Sequence, residues 1–147
     1  MSNSKSTNLI TCTRRIEFDA AHRILRHESK CKMLHGHRYA LEATFEANNL
    51  DDLGRVIDFG EVRKVLGDWI DSNFDHNTIL SHDDKILGEK IATETKQKIF
   101  YLDENPTAEN IAKFLFEKIC PQLFADKNVK CVAMRLYETP NCYVEVK

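Results

Sequence analysis

The stretch Cys31-Lys32-Met33-Leu34-His35-Gly36-His37 sets two histidines two residues apart, with a cysteine four residues before the first. A third histidine, His22, closes the segment Phe18-Asp19-Ala20-Ala21-His22 just upstream. Residues two apart on a β-strand share a face, so a strand starting at His35 would present both of its imidazoles on one side. Three neutral imidazole nitrogens converging from two strands make a zinc site with a fourth position open to water or substrate. That is the arrangement of catalytic rather than structural zinc. Magnesium and calcium prefer oxygen ligands, while copper, nickel and iron(II) stay open as alternatives. The plain alternative is a pair of histidines alternating on a solvated strand.

The flanking residues weigh against that alternative. From Leu9 to His22, one parity carries Ile10, Cys12, Arg14, Ile16, Phe18, Ala20 and His22. All but Arg14 and the terminal histidine are apolar. From His35 onward the odd positions are His35, His37, Tyr39, Leu41, Ala43, Phe45 and Ala47, whereas the even ones include Arg38, Glu42, Thr44 and Glu46. Alternation of this kind marks half-buried strands. All three histidines follow the buried parity, and antiparallel pairing would turn them to the side that carries the core. A solvated pair belongs on the polar parity.

Other residues could add to the chemistry. Cys31, between Lys30 and Lys32, is readable as a fourth metal ligand, as a buried apolar residue, or as an acid/base thiol whose pKa the metal and lysines lower. Asp75-His76 is readable as a helix-ending turn or as a carboxylate that orients and charges an imidazole, making a proton shuttle. Glu138 stands on the apolar parity of its strand. A buried carboxylate needs partners, either an internal Arg or Lys or a ligand offering paired N–H donors. Basic residues gather around the histidine segment (Arg23, Arg26, Lys30, Lys32, Arg38), as a solvated loop or as an anion-binding rim.

With 147 residues, 42% hydrophobic and 30% charged, the chain has the composition of one globular domain. A net charge of -2 gives no reason to expect nucleic acid as partner. Five cysteines, an odd number without Cys-x-x-Cys, argue against a disulfide framework and for a reducing, cytoplasmic setting. No apolar run is long enough for a membrane span, and residues 1–8 lack the apolar centre of a signal peptide. Residues 1–8 are expected to be a disordered tail and residues 9–147 a single domain. Asp58 with Glu61 fits a capping box for a helix whose face is Val62, Val65, Leu66, Trp69 and Ile70. Ser81 to Asn105 shows little pattern beyond a short helix around Ile86, Leu87 and Ile91. Thr107 is the expected N-cap of a further helix, with Ile111, Phe114, Leu115 and Ile119 buried and Cys120-Pro121 as its stop. A hairpin turning at Thr139-Pro140-Asn141 ends the chain. The main elements read ββααββ: an α+β fold, with a four-stranded antiparallel sheet and two helices on one face. Its edges invite edge-to-edge oligomerisation.

Taken together, Phe18-Asp19-Ala20-Ala21-His22, Cys31 with His35-Gly36-His37, Val56-Ile57-Asp58-Phe59, Asp75-His76, Pro106-Thr107-Ala108-Glu109-Asn110 and Tyr137-Glu138-Thr139 resemble the 6-pyruvoyltetrahydropterin synthase family, from about Arg15 to the end. The resemblance implies the tunnelling fold (T-fold), in which trimers close their sheets into barrels and two trimers stack as a homo-hexamer with active sites at subunit interfaces. It implies one zinc per subunit on His22, His35 and His37. Cys31 would be the catalytic thiol, and Asp75 and His76 an acid/base pair from a neighbouring subunit. Glu138 and Thr107 would bind the pterin. The short spacing from Cys31 to His35 resembles the bacterial queuosine-pathway branch, the 6-carboxytetrahydropterin synthases. That branch converts 7,8-dihydroneopterin triphosphate to 6-carboxy-5,6,7,8-tetrahydropterin with release of acetaldehyde and triphosphate. Two alternatives are triphosphate elimination alone, giving 6-pyruvoyltetrahydropterin, and a noncatalytic zinc- or pterin-binding protein. The segment Ser81 to Asn105 is longer than in compact bacterial members, and Arg38 stands where a smaller polar residue is common.

Overall fold

The computed structural model describes residues 8–147, so the expected N-terminal tail lies outside the described residues apart from Asn8. The alternating segments form two long strands, β1 (Thr11–His22) and β2 (His35–Glu46). They pair antiparallel over their whole length, from Thr11 opposite Glu46 to His22 opposite His35. Their shared parity buries Ile16, Phe18, Tyr39, Leu41 and Phe45. The connection between them carries one short 3-10 turn, Lys30–Lys32. Strand β5 (Lys130–Thr139) continues the sheet beside β2, with an irregularity at Thr44/Phe45, and β6 (Cys142–Val146) pairs with β5.

Helix α1 (Phe59–Asn73) packs on this sheet. Val62, Leu66 and Ile70 are fully buried, and Val65 and Trp69 pack against the same core. Each such aliphatic side chain contributes roughly 1.5–3 kcal/mol by leaving water. Asp58 is the N-cap, accepting a hydrogen bond from the Gly60 N–H at 2.6 Å. Glu61 does not complete the reciprocal capping box; its carboxylate lies 2.6 Å from Lys127 Nζ.

The α+β class holds, but the sheet is neither four-stranded nor purely antiparallel. Two more strands follow α1: β3 (Asn77–Ser81), parallel to β1 at Ala20–His22, and β4 (Ile99–Leu102), parallel to β3. The six strands run β4-β3-β1-β2-β5-β6. Helix α2 (Lys85–Thr95), where a short helix was expected, makes the crossover between the two parallel strands. These strands escape pattern reading for a physical reason. Thr78 to Ser81 are buried without a break, so β3 shows no alternation. Strand β4 has only four residues.

The helix expected to stop at Cys120-Pro121 continues past it. Thr107 caps α3 (Ala108–Phe114) by accepting from the Asn110 N–H at 3.1 Å. A π turn, Leu115–Ile119, then leads into α4 (Cys120–Leu123). Proline interrupts a helix by lacking an N–H and by crowding the carbonyl one turn back. Here the wider π turn comes just before it, and Pro121 falls in the first turn of α4, where proline is tolerated. Among the described residues no helix is long and apolar enough to cross a membrane.

Candidate active site

His22 ends β1, His35 begins β2 directly opposite it, and His37 lies opposite Ala20. Strand parity turns all three to the same side, and one nitrogen from each lies within 4.8 Å of the others. Backbone carbonyls set two of the rings. His22 Nδ1 is 2.7 Å from the Pro106 oxygen, and His35 Nδ1 is 2.7 Å from the Met33 oxygen. A carbonyl can only accept, so each ring carries its proton on Nδ1 and leaves Nε2 bare. Those two bare nitrogens face each other at 3.1 Å, an arrangement in which the lone pairs repel unless a cation is shared between them.

His37 Nε2 is buried without a hydrogen-bond partner. Glu138 Oε1 lies 3.3 Å away but out of bonding alignment. Burial lowers the pKa of both His22 and His37, outweighing the upward pull of Glu138. The rings are thus neutral near pH 7, the form in which imidazole ligates a metal. The proximity of His37 to Glu138 is therefore a contact rather than an ion pair. An orphaned buried nitrogen, two opposed lone pairs and carbonyl-fixed tautomers all fit a metal ion held by His22, His35 and His37.

Tyr39, two residues on from His37, stacks on Phe18 at 5.1 Å and brings its hydroxyl to 3.1 Å from His22 Nδ1. Burial, with help from the Glu138 charge, raises the pKa of this hydroxyl far above its usual value, so it stays protonated. The sequence places Tyr39 on the buried parity without assigning it to the site, although a hydroxyl there signals that a partner must exist.

Beside the imidazoles opens a cavity of about 450 Å3 whose lining includes His22, Cys31, Thr107, Glu138 and Cys142. The structure thus brings together the thiol, the carboxylate and one imidazole named from sequence. Cys31 is half-buried in the Lys30–Lys32 turn. Glu138 pairs with no Lys or Arg among the described residues, which removes the internal ion pair as its explanation. The basic cluster is partly spent on internal pairs. Arg23 binds Asp84 through two hydrogen bonds, and Arg38 binds Asp19 at 3.0 Å and Glu17 at 3.4 Å.

Asp75 and His76 are hydrogen-bonded to each other, away from the Cys31 cavity. Asp75 Oδ2 lies 2.9 Å from His76 Nδ1, while Oδ1 accepts from the Asp19 N–H at 2.9 Å. The His76 N–H donates to the Asp19 oxygen at 2.6 Å, and its backbone takes the left-handed conformation with φ 59°. Burial pushes the Asp75 carboxyl up, but the Asp19 N–H, His76 and Arg38 together hold it below the usual value. The hydrogen bond to Asp75 raises the pKa of His76. His76 lines a second cavity of about 440 Å3 with Asp19, His37 and Arg38, so within one chain Cys31 and His76 do not share a cavity. A larger hollow of about 780 Å3 lies at the far end of β2, around Glu46–Asp52 and Lys127–Lys130, and contains none of these residues.

Fold and site define an α+β protein with a three-imidazole centre, suited to a metal ion, beside a cleft of small-molecule size. Residues 11–147 match the family described as 6-pyruvoyl tetrahydropterin synthase. The chain is 56% identical over 138 residues to the 6-carboxy-5,6,7,8-tetrahydropterin synthase of Rickettsia conorii, covering 94% of this chain and 100% of that one. It is 30% identical over 140 residues to the protein of that name in Haemophilus influenzae, covering 90% and 95% of the two. Among solved structures it is similar to 6-pyruvoyltetrahydropterin synthase from Plasmodium vivax, with a TM-score of 0.70, 16% identity and coverage of 95% and 97%. An uncharacterized protein from Wolinella succinogenes superposes with a TM-score of 0.78 at 20% identity, covering 95% and 98%. The chain belongs to the 6-pyruvoyl tetrahydropterin synthase family.

Proposed function

We propose that this protein is a zinc-dependent 6-carboxy-5,6,7,8-tetrahydropterin synthase of the queuosine pathway. It would convert 7,8-dihydroneopterin triphosphate and water to 6-carboxy-5,6,7,8-tetrahydropterin, acetaldehyde and triphosphate. The observation that carries the proposal is the cavity where His22, Cys31, Thr107 and an otherwise unpaired Glu138 meet. The 56% identity to a relative of that name supports the choice of product.

His22, His35 and His37 would hold the zinc, which when bound stabilises negative charge developing on side-chain oxygens of the substrate. Glu138 accepts from the N–H edge of the pterin ring, the bidentate recognition for which a carboxylate is suited. Thr107 lines the same cavity. Cys31 moves a proton on one side of the substrate side chain. His76, charged and oriented by Asp75, moves one on the other. Because Cys31 and His76 line separate cavities in one chain, the complete site would form between subunits of a homo-hexamer, with the dyad supplied by a neighbour.

The test is to incubate the zinc-loaded protein with 7,8-dihydroneopterin triphosphate and identify products. Acetaldehyde together with a 6-carboxylated pterin supports the proposal. A retained three-carbon side chain would select triphosphate elimination, the activity named in the family description. Tight pterin binding without turnover would select a noncatalytic role.

A further inference from the structure

Strands β5 and β6 supply part of the cavity's lining, and two further walls come from distant parts of the chain. One is the loop after β1, with Ile24 and Cys31; the other is the start of α3, with Thr107 and Ala108. A single side chain seams them together. Asn105 Oδ1 accepts from the Leu25 N–H at 2.9 Å, and Asn105 Nδ2 donates to the Leu25 oxygen at 3.0 Å. Both backbone groups of Leu25 are thus gripped by one amide, a pairing only Asn or Gln can make because it needs a donor and an acceptor side by side.

The grip is passed on in both directions. On the loop side, the Ile24 N–H donates to the Cys31 oxygen at 2.8 Å, so the residue beside the clamp holds the thiol's own peptide. On the helix side, the Asn105 oxygen accepts from the Thr107 N–H at 2.8 Å and from Asn110 Nδ2 at 2.9 Å. The next residue, Pro106, supplies the carbonyl that orients His22. One dipeptide, Asn105-Pro106, therefore sets the position of the thiol loop and the tautomer of an imidazole ligand.

We propose that Asn105 is a positioning residue that fixes the Cys31 loop against the His22 side of the cavity. It lines neither cavity of the site, so it acts through Leu25, Ile24 and Pro106. The catalytic part of the proposal rests on the functional reading above; the positioning part does not.

The experiment compares parent, Asn105→Ala and Asn105→Asp proteins. Asp keeps the size and the acceptor for the Leu25 N–H but loses the donor to the Leu25 oxygen. Amide hydrogen exchange of residues 24–33 and the rate of iodoacetamide labelling at Cys31, followed by mass spectrometry, should each rise about tenfold in Asn105→Ala and less in Asn105→Asp. Exchange in β5 and α1 should stay unchanged. If the parent turns over, kcat should fall by tenfold or more with KM within threefold. Parent-like exchange and labelling in folded Asn105→Ala would overturn the proposal. Should Asn105→Ala fail to fold, the same two measurements on Asn105→Asp decide it. A mobile loop in a protein whose parent lacks turnover would uphold the clamp and sink only the assigned reaction.

Discussion

At the scale of single residues the division of labour is sharp. Three imidazoles, two of them tautomer-fixed by carbonyls, already provide the usual protein ligands of a catalytic zinc. On the proposed function, Cys31 is then left to proton transfer. Cys31→Ala is expected to keep its zinc and lose turnover by roughly 10²–10⁴-fold, as for a missing general acid or base. Metal analysis and rate on one preparation decide it; zinc lost in step with activity would make Cys31 a ligand. The dyad gives a pH prediction. His76 titrates above its usual 6.5 because of Asp75, so its share of folded-state stability is full below 6.5 and lost as pH rises through the raised value. Asp75 titrates below its usual 3.8, so its share is present above 3.8 and lost as pH falls through the lowered value. Between those two values the pair is charged. NMR titration should show His76 above 6.5 in the parent and lower in Asp75→Asn, whereas equal values would break the link. His22, His35, His37, Cys31, Asp75 and His76 stood out by type and spacing and Glu138 by strand parity, whereas Thr107 read only as an N-cap and joined the candidate site through the family resemblance. Asn105 did not stand out, because an asparagine before a proline carries no mark of what its amide will grip.

At the scale of elements, legibility followed solvent. Strands β1 and β2 each keep one wet face, so parity revealed both them and the direction of the histidines. Strand β3 is buried from Thr78 to Ser81 and gave no pattern, and the four residues of β4 are too few to show one. Pro121 misled because its cost was relieved by a π turn that no local rule requires. The closeness of β1 and β2 at the site can be tested at Gly36, between the two histidines of β2. A Cβ there would lie 3.3 Å from the Ala20 carbonyl oxygen, so the strands must part by a few tenths of an ångström. Gly36→Ala should fold normally yet bind zinc about tenfold or more weakly, the scale of a disturbed ligand orientation. Unchanged zinc affinity by competition titration would show that the hairpin absorbs the strain elsewhere.

At the scale of the whole molecule, the sheet is unfinished. Strand β3 pairs with β1 only at Ala20–His22, so on that side Thr11–Phe18 have no strand partner among the described residues; β4 and β6 are the end strands of the sheet. Open edges recruit further strands, and open edges on both sides of one subunit suit a closed ring of copies. Light scattering should therefore find an assembly, a hexamer on the present proposal. A monomer at micromolar concentration would refute it and leave Cys31 and His76 without a common site. The order of the chain matters as well. All three imidazoles belong to one hairpin, whereas the carbonyl that orients His22 comes 84 positions later. During synthesis the three imidazoles leave the ribosome long before the carbonyl that orients His22. On the proposed metal site, the centre of a nascent chain would thus be complete only once the Asn105-Pro106 segment has been added.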